Sequence, residues 1–122
     1  ERAVSVSAAS THSLALTGSG AVWSWGWDSD GQLGHGDQDH QRLPKKIEAF
    51  ASQRVVAVSG GGGHNLALAA GGSVWSWGLG GYGQLGHGDR HFQLLPKRIE
   101  ALADQRVIAV SAGDHHILAV TA

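Results

Sequence analysis

The sequence contains no cysteine and no methionine, and only 2 prolines among 122 residues. Without cysteine, the chain forms no disulfide, offers no thiolate nucleophile and binds no zinc through sulfur. The lack of disulfides is compatible with a reducing compartment, and it favours an intracellular location, in the cytoplasm or the nucleus. Because the sequence has no methionine and opens with Glu1, we expect the chain to be a segment of a longer protein.

Charge and long apolar runs are also scarce. Nine basic and 10 acidic residues leave a net charge of −1, so the chain lacks the basic footprint that neutralises nucleic-acid phosphates. No apolar run approaches the ~20 residues that cross a bilayer, and no signal peptide is visible. We therefore expect neither a nucleic-acid nor a membrane partner. With 42% hydrophobic residues, residues 1–122 suffice for the packed core of one modest domain.

Glycine and an internal repeat are what the sequence does contain. There are 19 glycines, and "AVWSWGWDSDGQLGHGD" (21–37) returns as "SVWSWGLGGYGQLGHGD" (73–89), 52 residues later. The same spacing relates a further set of residues: His12, His64 and His116; Trp25 and Trp77; Gly34 and Gly86; Pro44 and Pro96. The chain therefore divides into two units, 1–52 and 53–104, and an incomplete third, 105–122. A period of about 50 residues is typical of solenoids and propellers.

Within each unit the apolar residues alternate. "HNLALA" (64–69) and "SVWSWG" (73–78) predict half-buried β-strands separated by glycine-rich turns. "IEAFASQ" (47–53) predicts a loop or a single helical turn. Pro44 and its counterpart Pro96 precede an expected fourth strand, where a missing N–H suits an edge. The sequence thus predicts an all-β fold of four-stranded antiparallel propeller blades, in a partial ring of about two and a half blades.

Two segments resemble a known family. "VSGGGGHNLAL" (58–68) and "VSAGDHHILAV" (110–120) are similar to the signature of the regulator of chromosome condensation repeat, and "VWSWGLGGYGQLGHGD" (74–89) resembles its second half. The first unit departs from it at Ala9, where the signature has glycine. The resemblance implies a seven-bladed propeller.

That family includes a nucleotide exchange factor for the small GTPase Ran, which also docks on nucleosomes. It further includes a plant UV-B photoreceptor and very large ubiquitin ligases, so the fold does not fix the function. The photoreceptor senses light through tryptophans in a glycine-tryptophan-arginine-histidine context. No tryptophan stands in the two positions before any repeat histidine here, so UV sensing by that mechanism is not expected.

The histidines and glycine loops suggest ligand sites that the spacing does not support. Each repeat histidine occurs once per blade with no recurring acidic neighbour, so we expect its imidazole N–H to bond a backbone carbonyl rather than to bind a metal. His35 and His87 are interpreted in the same way. The loops 26–36 and 78–88 lack the lysine and the helix of a phosphate loop, and their glycines are expected to allow positive φ and close blade contact.

No catalytic chemistry is predicted. Neither a serine–histidine–aspartate set nor paired carboxylates recur in a defensible geometry, so we predict no enzyme, no cofactor and no metal. Trp25 and Trp77 are instead expected to pack between blades, each contributing ~2–3 kcal/mol.

The two units differ mainly in their loops. "WDSD" (27–30) becomes "LGGY" (79–82), and "QDHQR" (38–42) becomes "RHFQL" (90–94). Because binding residues often occupy loops on a rigid frame, we expect partner contacts there, although neutral drift would give the same pattern. The candidates are Asp28, Asp30, Tyr82, Arg90, His91 and Phe92.

These observations predict a non-catalytic protein-interaction scaffold. Two and a half blades leave open sheet edges, so the chain is either a segment of a larger propeller or closes a ring with further copies of itself. Two alternatives remain open: a guanine nucleotide exchange factor for a small GTPase, and the adaptor region of a large ubiquitin ligase. The protein partner is not identified by the sequence.

Overall fold

The computed structural model describes residues 2–81, 83–113 and 117–121. Within them lie ten strands and two three-residue 3₁₀ turns. The first blade comprises β1 (Ala3–Ala8), β2 (His12–Thr17), β3 (Val22–Gly26) and β4 (Gln41–Lys46), followed by the turn Glu48–Phe50. The second comprises β5 (Val55–Gly60), β6 (His64–Ala69), β7 (Val74–Gly78) and β8 (Gln93–Arg98), followed by the turn Glu100–Leu102. Two strands, β9 (Val107–Ala112) and β10 (Ile117–Thr121), begin a third blade.

Each complete blade is a meander of four antiparallel strands. The sheet orders are β1-β2-β3-β4 and β5-β6-β7-β8, and β9 pairs with β10 as a hairpin. The register repeats with the sequence, since His12 pairs with Gly26 as His64 pairs with Gly78. The predicted all-β fold, with four-stranded antiparallel blades in a partial ring, is confirmed.

The two prolines lie inside the fourth strands, not before them as the sequence analysis expected. In the first blade, Ser24 pairs with Lys45 and Gly26 with Gln41, with an irregularity between these pairs. Pro44 falls within that irregular stretch of an outer edge strand and has no register partner. Its missing N–H therefore removes no bond from the ladder, and Pro96 occupies the equivalent place in β8.

The hydrophobic core lies between blades rather than within them. The first cluster joins Leu14, Leu16, Val22, Ile47 and Phe50 of blade 1 to Val55, Ala67 and Trp77 of blade 2. The second joins Leu66, Leu68, Val74 and Ile99 of blade 2 to Val107 of the third hairpin. Each blade therefore depends on its neighbour for burial, as expected for a repeat architecture.

The segments 47–53 and 99–105 contain single 3₁₀ turns, as expected from their short apolar pattern. The first turn brings Phe50 into the core. The Phe50 ring meets Trp75 and Trp77 of the next blade edge-on, with centroids 5.9 and 5.5 Å apart. In the described part of the chain, no helix is long and apolar enough to cross a membrane.

Candidate functional site

Residues 28–36 lie within the connection between β3 and β4 and pack onto blade 2, and we call this segment the interblade loop. Gly34 has φ +78, and a Cβ there would lie 2.8 Å from Nε1 of Trp77. Glycine is therefore required at position 34, because the φ is positive and because a Cβ would clash with the indole. Trp77 is fully buried, and its Nε1 donates to the carbonyl oxygen of Gln32 at 3.1 Å.

The same carbonyl oxygen accepts a second hydrogen bond from blade 2. Nδ2 of Asn65 donates to the Gln32 oxygen at 2.6 Å, and Oδ1 of Asn65 lies 2.6 Å from Nε2 of His12. Because the amide nitrogen of Asn65 already donates to Gln32, Oδ1 must accept, so Nε2 of His12 carries the proton. These residues, His12, Gln32, Asn65 and Trp77, form an interblade network.

Burial lowers the pKa of His12, and nearby His64 lowers it further, while the hydrogen bond to Asn65 opposes the shift. His12 is therefore neutral at pH 7. The sequence analysis expected a backbone carbonyl as its acceptor, and that detail is wrong. The His12 side chain crosses the blade interface, where the Asn65 amide is its partner. His64 is buried at the equivalent position of blade 2, and His116 lies outside the described residues.

His35 and His87 also have structural partners, which are serine hydroxyls. Oγ of Ser24 donates to a backbone carbonyl at 2.6 Å and lies 3.0 Å from Nε2 of His35. Since the hydroxyl has one hydrogen, His35 must donate to it. Ser76 and His87 repeat this arrangement in blade 2 at 2.7 and 2.9 Å. Burial lowers the pKa of both histidines, and a neighbouring lysine adds to the effect.

Equivalent positions in the two blades differ in burial. Trp77 is fully buried between blades 1 and 2, whereas Trp25 is half-buried and lines a groove on the outer face of blade 1. Pro44 lines the same groove and is exposed, whereas Pro96 is buried. Gly86 has φ +76, but a Cβ there would meet only isoleucine methyl groups, the nearest at 3.5 Å. The tryptophan and proline pairs differ because blade 1 has no blade packed on this face.

Asp28, expected to face a partner, is buried within its loop. Its Oδ1 accepts from the Leu33 N–H at 3.0 Å, a local turn bond typical of aspartate. Its Oδ2 has no hydrogen-bond partner in the described chain. The pKa of Asp28 is raised to about 7, mainly by burial and with a contribution from the nearby carboxyl groups of Asp37 and Asp39, while the hydrogen bond from the Leu33 N–H opposes the shift. The expectation that Asp28 contacts a partner is therefore wrong.

The other candidate loop residues occupy two rims. Asp30 is half-buried and approaches Gly63 of blade 2. Arg90 and His91 are exposed, and Phe92 is 45% exposed. The His91 N–H donates to Asp89 at 3.1 Å. Tyr82 lies outside the described residues.

Sequence reasoning missed an aromatic pair on the rim of blade 1. The Trp27 and His40 rings stack with centroids 4.0 Å apart and an interplanar angle of 22°. Trp27 is nevertheless 52% exposed, and its Nε1 donates to Oγ of Ser29 at 2.7 Å. The available signal was that both residues differ from their counterparts in the second unit, which are Leu79 and Phe92.

No group of three or more histidine or acidic residues is arranged to hold a metal ion across residues 2–81, 83–113 and 117–121. The polar clusters that do occur are the interblade network and the serine–histidine pairs, which tie loops to strands. Their chemistry is structural: each donor is matched to an acceptor on a neighbouring element.

Comparison with known proteins assigns the family. A model described as "Regulator of chromosome condensation (RCC1) repeat" matches residues 19–68 and 71–120, and a second model of the same description matches residues 3–32 and 55–84. The chain belongs to the regulator of chromosome condensation repeat family. Its matched segments cover both blades and the hairpin that follows them.

Curated relatives in this family are much longer. The human E3 ubiquitin-protein ligase HERC2 is 43% identical over 120 residues, which are 97% of this chain and 2% of the ligase. The ultraviolet-B receptor UVR8 of Arabidopsis thaliana is 39% identical over 110 residues, which are 90% of this chain and 25% of the receptor.

Solved structures give the same fold. Human WBSCR16 superposes with a TM-score of 0.91 at 30% identity, over 98% of this chain and 31% of that protein's chain. Prp20p of Saccharomyces cerevisiae superposes with a TM-score of 0.89 at 26% identity, over 98% of this chain and 31% of that chain. The chain thus spans less than a third of each of these relatives.

Proposed function

We propose that this chain is a non-catalytic protein-interaction module whose blades form a rigid frame for variable rim loops. The observation that carries the proposal is the division between frame and rim. The loop sequence GQLGHG is identical in both units, and so are the tryptophan positions 25 and 77. The rim positions 27–30 and 79–82 differ in size, charge and aromatic character. A frame that repeats while its rim changes is suited to presenting a partner-specific surface.

We propose further that another blade of a longer polypeptide covers the outer face of blade 1. Residues 31–36 pack against Trp77 of blade 2. Trp25 occupies the equivalent position on the outer face of blade 1. A preceding GQLGHG-like loop would bury Trp25 as the interblade loop buries Trp77. Association with a second copy is the alternative, because the loop 83–88 has the same sequence.

Native mass spectrometry of the 122-residue chain tests this choice. A monomer in the mass spectrum supports a segment of a longer ring if adding a polypeptide that carries the preceding repeat also lowers the solvent exposure of Trp25. A stable, symmetric oligomer of the 122-residue chain contradicts it and supports self-closure.

A protein partner is supported by relatives. The structure of Prp20p is described together with its binding to Gsp1p and histones. We propose that this chain, like Prp20p, binds a protein partner, in the cytoplasm or nucleus. A chimera tests the rim: replacing residues 27–30 and 38–42 with the sequences of 79–82 and 90–94 keeps the frame. Proteins from a cell extract that bind the chain should not bind the chimera, and equal binding to both would contradict a role for this rim.

Nucleotide exchange and an adaptor role in a ubiquitin ligase remain alternatives. HERC2 is named a ubiquitin ligase, but this chain corresponds to 2% of it. A nucleotide-release assay on a panel of small GTPases separates the exchange factor from the scaffold. We expect no acceleration, and acceleration with any member of the panel would contradict the non-catalytic proposal.

A further inference from the structure

The rim of blade 1 presents an aromatic surface that its own fold holds in place. Trp27 is 52% exposed, although its ring stacks on His40 at 4.0 Å. Nδ1 of His40 accepts from the Asp28 N–H at 2.8 Å, which fixes the imidazole. Nε1 of Trp27 is engaged by Ser29, whose carbonyl oxygen accepts from the Gln38 side chain at 2.6 Å. This exposed indole is fixed by a stacked ring on one face and by a hydrogen bond at Nε1, so it loses little conformational entropy when a partner binds.

The charged side chains within the loop 27–40 are all acidic, and the nearest cation in the sequence, Arg42 of β4, lines the groove next to Trp27 and His40. Residues 27–40 contain four aspartates and neither lysine nor arginine, whereas the equivalent residues 79–92 contain one aspartate and one arginine. The aspartates act on each other, since Asp37 and Asp39 both raise the pKa of Asp28. The excess of aspartate is therefore a property of this loop and not of the repeat.

The surface stays accessible when a neighbouring blade is present. Phe92 occupies the position of His40 in blade 2, and it is 45% exposed even though blade 1 packs in front of that blade. Leu79, the counterpart of Trp27, also remains partly exposed there. Trp27 and His40 line a groove together with Trp25. A blade preceding blade 1 would therefore cover part of this surface and leave the stacked pair partly exposed, as Leu79 and Phe92 are.

We propose that the Trp27–His40 rim binds a cationic segment of a protein partner, with an arginine or lysine side chain against the indole and Asp37 and Asp39 beside it. A guanidinium or ammonium group is attracted both by the face of an indole and by carboxylates. An acidic or nucleic-acid partner would be repelled by the same aspartates. This inference rests on the proposed interaction function and names the chemistry of its partner.

The test uses the 122-residue chain and a capped triarginine peptide, with a capped tricitrulline peptide as the uncharged control. Binding is measured by calorimetry and by the indole N–H signals in a ¹⁵N-correlated NMR spectrum, where Trp27 is assigned by its loss in Trp27→Leu. That variant places in blade 1 the residue that blade 2 has, and it keeps all four aspartates. The other four indole signals report whether the fold is retained.

We expect triarginine to move the Trp27 signal in a saturable way and tricitrulline to leave it unchanged. Trp27→Leu should weaken triarginine binding about three- to thirtyfold. The double variant Asp37→Asn/Asp39→Asn keeps the indole and should also weaken binding, with a smaller dependence on salt. Val56→Ala on β5 of blade 2, an apolar side chain that is also 45% exposed, is the control and should leave the affinity unchanged.

Equal triarginine affinity for Trp27→Leu and the unaltered chain would overturn the proposal, as would equal binding of tricitrulline. A loss in Val56→Ala as large as that in Trp27→Leu would also overturn it, because the attraction would then not be specific to this rim. Failure here is distinguishable from failure of the interaction module. The extract experiment uses natural partners, and a partner lost in the chimera would uphold the module even if triarginine did not bind.

Discussion

Substituting the interblade glycine gives the most direct test of how the blades pack. Gly34 and Gly86 occupy equivalent loop positions with φ +78 and +76, so an alanine at either site has the same backbone strain. They differ in what a Cβ would meet. At Gly34 it would lie 2.8 and 3.1 Å from Nε1 and Cδ1 of Trp77, whereas at Gly86 the nearest atoms are methyl groups at 3.5 Å. Gly86→Ala is therefore a control for strain alone.

The two variants should differ in free energy of unfolding by the cost of crowding Trp77. An alanine held at positive φ costs ~1 kcal/mol, which applies to both sites. Forcing an extra carbon into a well-packed interface adds ~1–3 kcal/mol at Gly34. We therefore expect a loss of ~2–4 kcal/mol for Gly34→Ala and ~1 kcal/mol for Gly86→Ala.

Urea unfolding followed by tryptophan fluorescence and far-UV circular dichroism measures both losses. A cycle with Trp77→Phe locates the cause, because phenylalanine has no Nε1, the ring atom that lies 2.8 Å from the new Cβ. Gly34→Ala should then cost less in the Trp77→Phe background than in the unaltered chain. Equal losses for Gly34→Ala and Gly86→Ala, or an unchanged loss in that background, would refute the assignment of Gly34 to blade packing.

Three further substitutions probe buried polar groups. Asp28→Asn keeps the acceptor for its loop and removes a carboxyl group whose pKa rises from 3.8 to about 7 on folding. Wild-type stability should therefore fall as pH rises through that window, and the variant should be more stable by ~1–2 kcal/mol at pH 8 but not at pH 4. This is less than the ~4 kcal/mol that three pKa units represent, because water near the loop screens the charge. Urea titrations at both pH values check it. Asn65→Ser introduces the residue of the first unit and unpairs the buried imidazole of His12, so a loss of ~2–4 kcal/mol is expected by urea unfolding, and a loss below ~0.5 kcal/mol would contradict the network. Ser76→Ala leaves the Nε2–H of His87 without its acceptor and should cost ~1–3 kcal/mol at pH 7, measured by thermal unfolding; no change in midpoint would contradict the pairing.

The repeat made the blade architecture predictable from the sequence. Alternating apolar residues such as those of "HNLALA" specify strands, and the 52-residue period specifies equivalent sheets. The expectation that Trp77 packs between blades came from its recurrence, as the counterpart of Trp25, within an equivalent strand of each unit. These features depend on local periodicity, which a sequence displays directly.

Contacts between blades could not be predicted in the same detail. The acceptor of His12 is Asn65, 53 residues away, and no local pattern distinguishes that amide from a backbone carbonyl. Asp28 looked like an exposed loop residue because its hydrogen bond to the Leu33 N–H depends on how the turn folds. The Trp27–His40 stack likewise joins residues 13 apart across an irregular loop. In each case the contact is set by tertiary geometry that composition does not encode.

The faces of the two blades also differ in a way that bears on what covers Trp25. On blade 2, Asn65 donates a hydrogen bond to the Gln32 carbonyl oxygen, and Leu94 packs against Gly31. Blade 1 has Ser13 and Arg42 at these two positions. A GQLGHG loop from a second copy would therefore lose one hydrogen bond and one apolar contact, which favours a different preceding blade over self-closure.

Restoring those two contacts gives the corresponding prediction. Ser13→Asn/Arg42→Leu gives blade 1 the loop-binding residues of blade 2, so it should increase self-association of the chain. Each lost contact of this kind is worth ~1 kcal/mol, so the dimer dissociation constant should fall about tenfold or more. Sedimentation equilibrium measures it, with Leu43→Ala on the exposed part of β4 as the control. If the wild-type chain already forms a tight oligomer that the double variant does not strengthen, the face at Trp25 is complementary to a second copy as it stands, and the preference for a longer polypeptide is wrong.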